Sequence, residues 1–176
     1  MKKNSYITWI LLILFICSLI YDNYKKVIPV PMSPKPSATE ISNIDKSMVN
    51  PYVTSETLNQ TICKVGYTKG VRPSTSYTNR IKYKLLRDIG KSELNADLYE
   101  LDHIIPLTVG GNARSPTNLW LQPWPEARIK DKDEVRLNKC VCDKTISLET
   151  AQLLMINWKS KLDNSIYKFC KFRNHR

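Results

Sequence analysis

Histidine is scarce here: there are two in 176 residues, and one of them, His175, sits in the C-terminal tail. That leaves His103 as the single imidazole in the body of the chain. The cysteines lack metal-binding spacing. Cys140-Val141-Cys142 is not the C-x-x-C of a usual zinc knuckle, so two disulfides outrank a structural zinc for Cys63, Cys140, Cys142 and Cys170. Four cysteines allow three connectivities, and sequence alone does not choose among them. Four reduced, buried thiols are the alternative. Disulfides require an oxidising compartment, which places residues 27–176 outside the cytoplasm.

Charged side chains are absent from Tyr6 to Tyr21, and Lys2, Lys3, Asp22, Lys25 and Lys26 flank that run. Its length lies between a signal-peptide core and a membrane span of about 17 to 25 residues. No A-x-A-like cleavage site follows, and the residues before Cys17 are not the small ones expected ahead of a lipidated cysteine. Residues 1–26 therefore read as an uncleaved signal anchor contacting the membrane through 6–21, with a cleaved signal peptide and a secreted domain as the alternative. Basic residues on both sides specify its orientation only weakly.

Acidic residues are outnumbered, 16 against 27 Lys and Arg, for a net charge of +11. Removing residues 1–26 takes away four Lys and one Asp, leaving 23 against 15, or +8. Such a balance suits a polyanionic partner, and equally plain solubility. Pro29, Pro31, Pro34 and Pro36 make residues 27–55 an extended tether, because proline at that density supports neither a sheet ladder nor a helix interior. No internal repeat is visible.

The folded domain is expected over 56–176. Thr78 reads as an N-cap, with Ile81, Leu85 and Ile89 following at helical spacing and Gly90 ending the helix. Leu101 to Val109 is a strand-loop segment, and Asn118 to Leu121 the return strand. Pro125 opens a helix to about Lys139 that has Ala127, Ile129, Val135 and Leu137 available for packing. Ser147 caps a last helix to about Leu162, with Ala151, Leu154 and Trp158 on one face. The sum is helix, β-hairpin, helix, helix, a small α+β domain.

The stretch from Tyr99 to Glu134 carries the chemistry: L-D-H-I-I-P-L-x-x-G-G from Leu101, N-L-W at Asn118, and A-x-x-K-D-x-x-E from Ala127. This order resembles an HNH-type endonuclease of the ββα-metal (His-Me finger) superfamily, over about a fifth of the chain, with the core at 99–139. Upstream, C-x-x-G-Y-T-x-x-V-R-P from Cys63 and Y-T-N-R-I-K from Tyr77 resemble the flank of a bacterial HNH-like group with exported members. The resemblance implies a ββα-metal finger core with flanking helices. It also implies His103 as general base, Asp102 as metal ligand, and Asn118 as the residue that fixes the loop and helps orient the imidazole. The chemistry needs these types, since an imidazole titrates near neutrality and a divalent cation neutralises charge developing on a phosphorane.

One position departs from the family. Where members carry a His or Asn on the helix as a second ligand, this chain has Ala127. Asp131 and Glu134, four and seven residues on, share its helical face and are the candidate oxygen ligands, suited to Mg²⁺ or Mn²⁺. Solvated i,i+4 pairing with Lys130 is the alternative for both acids. Arg72, Arg128 and Lys130 are candidate phosphate contacts, and Lys168, Lys171, Arg173 and Arg176 a diffuse basic edge. Trp124 can stack on a base, while Trp120 is expected between hairpin and helix. Adjacent strand residues face opposite sides, so Asp102 and His103 converge only if the strand ends or distorts there.

The expected function is that of a membrane-tethered or exported, metal-dependent endonuclease acting on DNA, with RNA as the other substrate class. A non-catalytic ββα nucleic-acid-binding module that has lost its metal site is the rival. A toxin-type nuclease has no delivery domain in its support, and no protein partner is evident.

Overall fold

The computed structural model describes residues 43–161 and Cys170. The segment 6–21, the proline-rich residues 27–42, His175 and the basic positions Lys168, Lys171, Arg173 and Arg176 lie outside the described residues. Among the described residues, no helix is long and apolar enough to cross a membrane.

The architecture is α+β. Helix α1 spans Tyr67–Val71 and α2 spans Thr75–Asp88; strand β1 is Tyr99–His103 and β2 is Leu119–Pro123; α3 runs Trp124–Cys142 and α4 Leu148–Ile156. Short 3₁₀ turns join them, and one at Trp158–Lys161 follows α4. The two strands form an antiparallel hairpin in which Asp102 opposes Trp120 and His103 opposes Leu119.

Helix α3 organises the domain. Its buried positions are Ala127, Lys130, Asp133, Leu137, Cys140 and Val141, one stripe at helical spacing. The C-terminal half of the stripe meets Leu148, Ala151, Leu154 and Met155 of α4, together with Trp158, Ile105 and Val109, in a single apolar core. Asp133 closes the seam by accepting the Trp158 indole N–H at 3.0 Å. Ile129 and Val135, expected to pack, are 52% and 68% exposed; both lie off the stripe, and a 3.6-residue period leaves them in solvent.

Two disulfides fix the connectivity: Cys63–Cys142 and Cys140–Cys170. Ser147 caps α4 as expected, accepting from the Thr150 N–H. Gly90 adopts φ +70° just past the C-cap of α2, the left-handed turn that glycine makes without strain.

Three boundaries move. Helix α2 starts one turn early, with Ser74 as N-cap; its first turn is polar, so apolar periodicity underreports it, and the Thr78 hydroxyl instead donates to Thr75 O at 3.0 Å. The last helix breaks at Ile156 into the 3₁₀ turn rather than running to Leu162. The folded chain also begins well before residue 56. Val49 bridges to Gly111, Asn112 N–H donates to Met48 O, and Val53 is buried in the core. Residues 44–53 therefore belong to the domain, since their backbone donors and acceptors find partners in the 110–112 turn.

Candidate active site

The loop after β1 is built around one amide. Asn118 is fully buried; its Oδ1 accepts the Ile105 N–H at 2.7 Å, and its Nδ2 donates to Ile105 O at 2.9 Å and to Asn112 O at 3.1 Å. Asn118 thus closes the segment 104–118 onto itself. Gly111 makes that closure possible, because a Cβ there would lie 1.8 Å from Ile105 O. Gly110, at φ +82°, supplies the preceding left-handed step.

The clipped loop delivers Ala113 to His103. The imidazole Nε2 lies 3.2 Å from Ala113 O. A carbonyl only accepts, so Nε2 carries the proton, and in the neutral ring Nδ1 is left with the free lone pair. His103 is 8% exposed. Burial pulls its pKa below the ordinary value, against the upward pull of the Ala113 bond and the Asp102 charge; Arg72 and Lys130 pull it down further. Burial thus favours the neutral form of the ring.

Strand β1 ends at His103, and that ending brings neighbouring residues to one place. Asp102 and His103 line a single polar cleft of about 80 Å³ with Glu100, Arg72, Asp131 and Glu134. Arg72 enters from the end of α1; Asp131 and Glu134 come from α3.

Lys130 is not a surface phosphate contact. Its side chain is 1% exposed, and all three ammonium donors are engaged: Asp102 Oδ2 at 2.7 Å, Glu134 Oε1 at 2.6 Å and His103 O at 2.8 Å. The lysine stem crosses the α3–hairpin interface and its charge ends between two carboxylates, so no donor remains for substrate. Glu134 is accordingly an i,i+4 partner of Lys130, although a buried one rather than a solvated one. Burial pushes its carboxyl up to about 7, more than the adjacent ammonium pulls it down. Asp131 is exposed at the cleft wall. Ala127 is 1% exposed and packs inward, and Arg128 is exposed but is not among the cleft-lining residues. Trp120 is half-buried, with the Lys159 ammonium 4.5 Å from its ring centre, and Trp124 is 37% exposed.

Glu100 is a cleft residue that the sequence motif does not include. It stands two residues before Asp102 on β1, hence on the same strand face. Its Oε2 is buried without a hydrogen-bond partner. Burial raises its pKa, and the Asp102 and Asp131 charges raise it further. Period-two alternation about Asp102 is the sequence signal that would have found it.

Among the described residues, no three His, Cys, Asp or Glu side chains form a group that could hold a metal ion by themselves. The cleft nevertheless gathers hard carboxylate oxygens, one of them an orphan, in the chemistry that Mg²⁺ and Mn²⁺ prefer. Mg²⁺ commonly takes only one or two protein carboxylates and completes its shell with phosphate oxygens and water. The residues fit an open-sided site of that kind.

In comparison with known proteins, the chain matches no family model, no curated protein and no solved structure.

Proposed function

We propose that this domain is a metal-dependent endonuclease that hydrolyses phosphodiester bonds in DNA. The observation that carries the reading is the placement of His103: a buried imidazole held through Nε2 by the Ala113 carbonyl, in the wall of a carboxylate-lined cleft. The cleft has room for a few water molecules. In the proposed reaction Nδ1 takes a proton from water as the water oxygen bonds to phosphorus. The bond from phosphorus to the 3′ oxygen breaks, and the departing oxygen acquires a proton from solvent, leaving 5′-phosphate and 3′-hydroxyl ends. Asp102 and Glu100 would hold the divalent cation, with Asp131 at the cleft wall. When bound, the cation supplies charge neutralisation at the phosphorane and at the leaving oxygen. Lys130 secures Asp102 and the His103 carbonyl, so base and carboxylate keep a fixed relation. Arg72 supplies positive charge at the cleft for an incoming phosphate. The net charge of +11 supports a polyanionic substrate, and the two disulfides support an extracytoplasmic, oxidising location for the domain.

One observation favours the non-catalytic module instead. The Lys130 ammonium is already paired with both Asp102 and Glu134, which lessens their pull on a cation. Plasmid nicking by the full chain, with Mg²⁺ or with EDTA and with His103→Ala alongside, decides between the readings. Nicking that requires both Mg²⁺ and His103 is the expected result. DNA binding with no nicking under any condition selects the module.

A further inference from the structure

A second hollow, of about 360 Å³, opens beside the His103 cleft. Thr68 and Thr108 line both, so this trough adjoins the cleft. Its inner surface is apolar: Ile62, the Tyr67 ring and the Cys63–Cys142 bridge. Its rim is cationic, with Lys64 and Lys139 both exposed. Val65, at the lip, is 99% exposed, an apolar side chain wholly in solvent.

The trough is also braced. Asn138 Nδ2 donates to Ile62 O at 3.1 Å and Thr108 O at 2.7 Å, joining opposite walls through α3. Tyr67 Oη accepts from Asn50 Nδ2 at 3.1 Å. The Cys63–Cys142 bridge ties the 62–67 segment to α3 a second time.

An apolar floor with lysines at the rim matches a flat, apolar ring joined to an anionic link. Small-ligand pockets run from about 300 to 1,000 Å³, so this volume suits one nucleotide-sized unit. In a duplex the base faces are stacked and their edges paired, and only sugar and phosphate would reach the trough. An unpaired base can enter and stack, with rim cations tracking the backbone. We propose that the trough seats one unpaired base of single-stranded DNA, next to the phosphate lying in the His103 cleft. This rests on the nuclease reading and adds a strand preference to it: the enzyme acts on single-stranded or locally unpaired DNA.

The test uses the full chain and a short fluorescein-labelled oligonucleotide, single-stranded or annealed to its complement. Binding is read by anisotropy in EDTA, and cleavage separately in Mg²⁺. Lys64→Glu and Val65→Asp alter exposed side chains, and thermal melts confirm that the fold is kept. The expected result is tighter binding of the single strand, with both variants lowering the single-strand to duplex affinity ratio about tenfold, the order of one lost base stack. Equal affinity for the two forms, or a ratio that neither variant moves, overturns the trough. If His103-dependent cleavage persists in that case, the nuclease reading stands without it. Single-strand preference lost in the variants, with no cleavage by the parent, keeps the trough and sinks the nuclease. Absence of binding to either form sinks both.

Discussion

Replacing Lys130 by methionine removes one charge from the least exposed part of the site and keeps most of the stem's packing. Asp102 and Glu134, with side chains 12% and 15% exposed, would then face each other with no ammonium between them. Breaking a buried ion pair by deleting one partner costs about 3 to 5 kcal/mol, because an uncompensated charge stays behind. Loss of the donor to His103 O adds about 1 kcal/mol at any pH. With a urea m-value of about 1 to 3 kcal/mol per molar, the unfolding midpoint should drop by about 2 M at about pH 8. The pH dependence identifies the cause. Glu134 in the folded protein is already raised from 4.5 to about 7, and without Lys130 it rises further. Its proton uptake removes one of the two facing negative charges and with it their repulsion, so the deficit is greatest above that raised value and shrinks as pH falls through it toward about pH 5. Urea titrations of parent and Lys130→Met at several pH values read both quantities. A midpoint unchanged near pH 8, or a deficit that grows on acidification, refutes the account of Lys130 as an internal counter-ion.

Three further outcomes follow from the geometry. On the proposed nuclease reading, the acid limb of the kcat/KM profile for nicking should fall below pH 6.5, the ordinary imidazole value, because burial depresses His103 and the ring stays neutral to lower pH; a limb above 6.5 contradicts the assigned environment. Gly111→Ala forces a Cβ to 1.8 Å from Ile105 O and should cost more than about 4 kcal/mol in a denaturation titration. Gly70→Ala, with nothing within 4 Å of its Cβ, should be neutral or slightly stabilising, and similar losses for the two would discredit the loop closure. Peptide mapping of unreduced protein from an oxidising compartment should recover Cys63–Cys142 and Cys140–Cys170, and reduction should lower stability by about 2 to 5 kcal/mol per bridge; alkylation of Cys63, Cys140, Cys142 and Cys170 without reduction would contradict it.

Elements whose signals are local were legible from sequence. Ser147 announces α4 because a capping hydroxyl acts within one turn, and the Gly-Gly step before Asn118 marks the hairpin loop because left-handed backbone needs glycine. The start of α2 is hidden because its first turn carries no aliphatic residue. Lys130 illustrates a harder limit: an i,i+4 pair with Glu134 looks the same in sequence whether solvated or buried, and only the approach of β1 across α3 decides. The early packing of residues 44–53 is invisible for a similar reason, as its partners lie at residues 110–112. Which cysteine meets which is a question of three-dimensional proximity, and no spacing rule answers it.

The bridges have a mechanical consequence. Cys140 and Cys142 lie two residues apart, yet one is bonded to Cys170 and the other back to Cys63. Tension applied between the two ends of the chain passes from Cys63 to Cys142, along one residue of α3 to Cys140, and out through Cys170. Residues 64–139, which hold the hairpin, the Asn118 clip and His103, form a covalently bypassed loop outside the load path. Pulling can strip away residues 43–62 without stretching the cleft. Strain between the two ends would thus leave the cleft intact while it unravels the leading edge.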